Sequence, residues 1–161
     1  MNGNTFNSPL EFGLRTLIIL VEVYPKSLSI QKLSALDYLL THSNDIDGGP
    51  EGVHPKTPRR SEEFFIKRKM IQDGINLFQR KGLIEQQFES DGLTFVATEL
   101  SGCFLDSLKA DYTNSLKNIA SWAIETFGNM DDTKITQILE SKLSTWGTEF
   151  TMESVLWQEE Y

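Results

Sequence analysis

The sequence holds one cysteine, Cys103, among its 161 residues. No disulfide can form within the chain, and a disulfide scaffold is excluded. Cys103 lies in the apolar helical pattern "LSGCFLDSL" and is expected to be a small buried core residue. No apolar run approaches the roughly eighteen residues of a membrane span, because "LIILVEV" is interrupted by Glu22. The opening residues show no basic stretch leading to a cleavage site, so a cytoplasmic location is expected. Nucleotide and hydrolase signatures are missing too. There is neither a G-x-x-x-x-G-K-[ST] loop nor a G-x-S-x-G elbow. Positive charge is scarce in the second half, where residues 82–161 carry four Lys/Arg against fourteen Asp/Glu. A chain of net charge −8 with so acidic a half is not a simple DNA-coating protein.

Hydrophobic residues make up 39% of the sequence, enough for a real core. Residues 1–81 carry eleven Lys/Arg and nine Asp/Glu, and eight of those cations fall within 56–81. The one basic region is therefore local.

The helices announce themselves by their ends. In "SPLEFGLRTLIILVEVYP", Ser8 is a candidate N-cap, Pro9 suits the first helical position and Glu11 completes a capping box. Leu14, Leu17, Ile18 and Val21 line one face, and Pro25 stops the helix near Val23. "SLSI" reads as a short extended piece. A second helix, "IQKLSALDYLL", turns Leu33, Leu36, Leu39 and Leu40 inward. A third runs from about 61 to 81, with Phe64, Phe65, Met70, Ile71, Leu77 and Phe78 on its buried side. Alternation in "LIEQQFESDGLTFVATE", with Asp91-Gly92 at the turn, predicts a β-hairpin. Leu105, Leu108, Tyr112, Leu116, Ile119, Ala123 and Phe127 then recur at helical spacing, predicting one long helix from Thr98 to Phe127, with Gly102 disturbing its first turn. A last helix is capped by Asp131 or Asp132, and an acidic tail keeps Phe150, Val155, Leu156 and Trp157. The expected fold class is mainly α with a small β-hairpin. Helix, short strand, helix, helix, hairpin is the order of a winged helix. The expected organisation is a winged-helix core over 1–98, with a long insertion at 43–58, and a C-terminal helical extension and tail over 99–161.

That insertion is the unusual feature. "HSNDIDGGPEGVHPKTPRR" holds both histidines and three of the five prolines. Helices in a helix-turn-helix are joined by three or four residues, whereas Ser43 to Pro58 spans sixteen. As a metal site, His42, Asp45, Asp47 and His54 match no standard zinc spacing, and "DIDGGPE" falls short of a Ca²⁺ loop. As a phosphate cradle, Gly48, Gly49 and Gly52 lack the strand and lysine that such loops need. As a catalytic site, the histidines have no nucleophile to pair with. No catalytic residue, cofactor or metal is expected. Two readings stay open. In one, His42, Asp45, Gly48, Gly49, Pro50, His54 and Pro55 build a rigid loop in which Gly49 has positive φ. In the other, the loop faces a partner together with Arg59, Arg60, Lys67, Arg68 and Lys69. Trp157 in the tail is a further candidate partner contact.

From "FNSPLEFGLRTLIILVEVYP" to "LFQRKGLI" the sequence resembles the middle component of ABC-three-component systems, which include the Lamassu anti-phage systems. The resemblance runs through Tyr24-Pro25, Leu36-Asp37-Tyr38, His42-Ser43, Asp45, Gly48-Gly49-Pro50, His54-Pro55, Pro58 and Arg60. Asn44 stands where glycine would be expected, and the residues after Ser61 are less apolar. The resemblance implies a non-enzymatic subunit in bacterial anti-phage or anti-plasmid defence. It would link an SMC/Rad50-like coiled-coil ATPase to an effector nuclease, with DNA reached through the complex. The other class is a DNA-binding winged-helix transcriptional regulator, with Lys67, Arg68 and Lys69 in the major groove and the hairpin on the backbone. The sixteen-residue insertion and the acidic hairpin residues Glu85, Glu89 and Asp91 weigh against it. A metal-dependent hydrolase is a third and weaker class.

Overall fold

The computed structural model describes residues 8–53 and 60–145, with their side chains apart from those of 60–66 and 143–145. The described residues form α1 (Pro9–Val23), α2 (Ile30–Thr41), α3 (Arg60–Arg80), β1 (Ile84–Glu89), β2 (Gly92–Ala97), α4 (Glu99–Ser107), α5 (Asp111–Phe127) and α6 (Asp132–Thr145). A 3-10 turn at Ser43–Asp45 follows α2. None of these helices is long and apolar enough to cross a membrane.

The first helix is the centre of the molecule. Four consecutive residues, Leu17, Ile18, Ile19 and Leu20, are buried. A helix buried on successive residues is covered on every side, and α1 packs against α2, α3, α4, α5 and β2. Ser8 caps it by accepting a hydrogen bond from the Glu11 N–H at 3.2 Å. The Glu11 carboxylate is engaged elsewhere, by the Tyr112 hydroxyl. Helix α3 crosses α1 where two glycines meet. A Cβ on Gly74 would lie 2.4 Å from the Gly13 nitrogen, and one on Gly13 would lie 2.4 Å from the Phe78 ring. Neither contact is possible, so this crossing depends on glycine in both helices.

The strands pair antiparallel, from Ile84 opposite Ala97 to Glu89 opposite Gly92. "SLSI" contributes one extended residue: Leu28 and Phe95 exchange two backbone hydrogen bonds of 2.9 Å. The tight turn is Ser90-Asp91, one residue before the predicted pair, and Gly92 follows with φ +124°. Ile84, Phe95 and Ala97 face the core, whereas Phe88 on the same side of β1 is 82% exposed.

One hydrophobic cluster runs from Phe12 to Leu139 through every helix and both strands. Helix α6 closes it over α2. Asp131 caps α6 by accepting from the Lys134 N–H at 2.7 Å. The Ser29 hydroxyl donates to Asp132, and Lys32 Nζ donates to the carbonyls of Gly128 and Met130 at 2.8 and 2.6 Å. Burial, against the opposing pull of Asp132 and Asp131, lowers the Lys32 pKa.

Three expectations about the second half are corrected. The long helix is two, α4 and α5, separated at Leu108–Ala110. The Ser107 hydroxyl donates to the Phe104 carbonyl at 2.6 Å, giving that group a side-chain partner where the helix ends. Gly102 sits inside α4 without breaking it. Cys103 is exposed, not buried. Within α4 itself, Ser101 and Leu105 are the fully buried positions.

Candidate functional site

The polar chemistry of the described residues gathers beneath the loop that follows α2. Asp37, Tyr38 and Thr41 lie on one side of that helix, at the spacing that makes helical neighbours. Asp37 is wholly buried and accepts from Arg15 of α1: Nε to Oδ1 at 2.7 Å and a terminal nitrogen to Oδ2 at 3.4 Å. Lys67 of α3 approaches from the third side. Its Nζ lies 3.5 Å from Asp37 Oδ2 and donates to Thr41 Oγ1 at 2.9 Å. The same ammonium stands 5.1 Å from the centre of the Tyr38 ring, and the Arg15 guanidinium 4.4 Å from that of Phe12. Such cation–π contacts suit cations withdrawn from water.

Three helices are thus joined through one carboxylate. Burial alone would lower the pKa of Arg15. The charge of Asp37 and its hydrogen bond, helped by Tyr112 and Glu11, outweigh that cost and hold it above its ordinary value. Glu11 lies 3.9 Å from Arg15 and extends the network to Tyr112 of α5. Burial, then the hydrogen bond and charge of Glu11, push the Tyr112 phenol above its usual range, with Arg15 opposing.

The loop is fastened to this junction. His42 terminates α2, its N–H bonded to the Tyr38 carbonyl, and its ring packs 4.6 Å from that of Tyr38. Asp45 Oδ2 lies 3.8 Å from His42 Nδ1, and both side chains are buried. Backbone bonds from Asp45 to His42, Ile46 to Ser43 and Gly49 to Ile46 wind the chain tightly, and Ile46 enters the core. Gly48 takes φ +78°. Gly49 does not have positive φ, which corrects the expectation. It is confined by space instead, because a Cβ there would lie 2.1 Å from the Ser43 carbonyl oxygen.

The predicted residues therefore separate. His42, Asp45, Gly48 and Gly49 are brought together as a wound loop, with Pro50 half-buried beside them. Lys67, expected in an outward basic patch, is buried at 5% exposure and belongs to the junction. A carboxylate at the helix crossing accounts for this, since an ammonium there is paired inside rather than solvated outside. Arg68 and Lys69 are exposed. His54, Pro55, Pro58, Arg59 and the tail with Phe150, Val155, Leu156 and Trp157 lie outside the described residues, as do the side chains of Arg60, Phe64 and Phe65. Sequence reasoning missed Arg15 and the role of Asp37. The signal was present: each is a lone charge amid apolar residues, in "GLRTLIIL" and "SALDYLL". Opposite charges stranded in two buried helices should be read as a pair.

Among the described residues no three His, Cys, Asp or Glu side chains are grouped so as to hold a metal ion. Arg15, Asp37 and Lys67 join three helices, and His42 and Asp45 pair in the turn beside them. Compared with known proteins, residues 5–149 match the sequence profile of the ABC-three component (ABC-3C) system Middle Component 2. No curated protein and no solved structure matches the chain.

Proposed function

Since the chain belongs to the ABC-three component system Middle Component 2 family, we propose that it is a non-enzymatic bridging subunit. It joins an SMC-like coiled-coil ATPase to an effector nuclease in a Lamassu-type bacterial defence complex in the cytoplasm. The observation that carries this reading is the ionic junction. Asp37, Lys67, His42 and Asp45, the groups best suited to chemistry near the loop, are buried and engaged with one another or with neighbouring helices. Such a loop makes a rigid platform, and a rigid platform suits an architectural subunit.

In this proposal the extended residue Leu28 beside β2, together with the helix order and the hairpin, forms a winged-helix core. Helices α4–α6 are its C-terminal extension. The alternative use of a winged core, as a DNA-binding regulator, is less well supported. Lys67 is withdrawn from the surface, and Glu85, Glu89 and Asp91 of the hairpin are exposed where a wing would meet phosphates. Arg68 and Lys69 remain outside and can meet an acidic protein surface, or DNA already held by the ATPase. The purified chain is expected to neither hydrolyse ATP nor cleave DNA, and to bind duplex DNA only weakly at about 150 mM salt. Sequence-specific nanomolar binding by the isolated chain would favour the regulator and contradict the bridging role.

A further inference from the structure

The hairpin has an outer face as well as a core face. Because Ile84, Phe95 and Ala97 turn inward, the register places Glu85 opposite Val96 and Gln87 opposite Thr94 on the other side. That outer face floors a groove of about 480 Å³, walled by the Tyr24-Pro25 corner on one side and by Thr98, Glu99 and Leu100 on the other. This volume falls in the range of about 300–1,000 Å³ occupied by ligand pockets.

Its chemistry is distinctive. The charged residues that line it are Glu85 and Glu99, both exposed, and no lysine or arginine lines it. Its walls carry two of the large apolar residues that remain in solvent, Tyr24 at 47% and Leu100 at 64% exposure. The opening of α4 is closed to anions. Thr98 and Ser101 complete a capping box there, and Glu99 already stands in the first turn. Nucleic acid and free phosphate would meet two carboxylates and are excluded on charge. A guanidinium or ammonium suits the carboxylates, and its aliphatic stem suits the apolar walls.

Building on the bridging role, we propose that this groove docks a basic segment of a partner protein in the three-component assembly. An arginine or lysine lies between Glu85 and Glu99, and an adjoining apolar residue rests on Tyr24 and Leu100. A second copy of this chain is the poorer occupant. Each copy carries net charge −8, so two copies repel one another.

The test uses the full chain and the other two purified components of its system. Glu85→Lys combined with Glu99→Gln changes two exposed side chains, and an unchanged urea midpoint confirms the fold. Affinity for the component that captures the native chain should fall at least tenfold, and the salt dependence of binding should flatten. Glu140→Lys, an exposed charge reversal on α6, should bind like the native chain. A photo-crosslinking residue at position 100 should join the partner within a few residues of a lysine or arginine. Native affinity of the double variant would overturn the proposal and leave the bridging role standing. Crosslinking to a second copy of this chain or to DNA would overturn it as well. If the native chain captures neither component, both the groove and the bridging role fall.

Discussion

Asp37 links three helices through one carboxylate. It is wholly buried and stands against two cations, Arg15 and Lys67. Asp37→Ala strands both cations in the interior and is expected to cost about 3–5 kcal/mol, the loss typical when one partner of a buried ion pair is removed. Arg68→Ala and Lys69→Ala, on exposed side chains of the same stretch, should stay within about 0.5 kcal/mol. Urea midpoints at constant slope separate these cases, and a mild Asp37→Ala would mean that the junction holds little together. The basic run "KRK" shows what sequence could and could not tell. Nothing within the run distinguishes Lys67 from its neighbours. The difference arises from the position of Asp37 on another helix, thirty residues earlier. Tyr112 adds a pH signature. Its folded pKa is raised above the ordinary value near 10, so the folded chain keeps a proton that the unfolded chain loses. The stabilisation is fully present below pH of about 10 and is lost as pH rises beyond it. Tyr112→Phe should therefore be less stable than the native chain at pH 8, with the gap narrowing above pH 10. Lys32, whose depressed pKa tilts stability the other way, is common to both proteins and drops out of the difference. A gap that stays constant across this range would contradict the role given to Tyr112.

At the scale of elements, most boundaries were legible because caps and breakers act locally. Ser8, Pro9 and Pro25 bound α1, and Asp131 starts α6, as their residue types require. The division between α4 and α5 was not legible. Leu105, Leu108 and Tyr112 keep helical spacing across it, and neither glycine nor proline marks it. The contact of α1 with α3 was also hidden. A glycine within a helical pattern costs about 1 kcal/mol relative to alanine in isolation, but at Gly13 and Gly74 the two helices approach too closely for a Cβ. This reverses the sign expected of a substitution. Gly74→Ala in an exposed helix would stabilise, but here the added carbon meets backbone 2.4 Å away. A loss of about 1–3 kcal/mol is expected, as for other overpacked sites. A higher melting temperature for Gly74→Ala would refute the close crossing. The loop follows the same logic. Glycine at position 49 was expected for a positive φ that it does not have; what confines it is the carbonyl of Ser43, which only the wound backbone reveals.

At the scale of the molecule, a central helix, an ionic junction and a fastened loop make a body that displays a hairpin, a groove and the exposed cations Arg68 and Lys69 of α3. The local basic stretch and acidic second half were readable from composition. The sharing of that charge between interior and surface was not, because it depends on which helices meet. The central claim is that this body joins two other proteins without doing chemistry itself. Sedimentation of the three purified components tests it most directly. With the chain present, ATPase and effector should migrate as one species containing all three; with it omitted, they should migrate apart. A single ATPase–effector species that forms without the chain, or a chain that stays free beside one, would contradict the account.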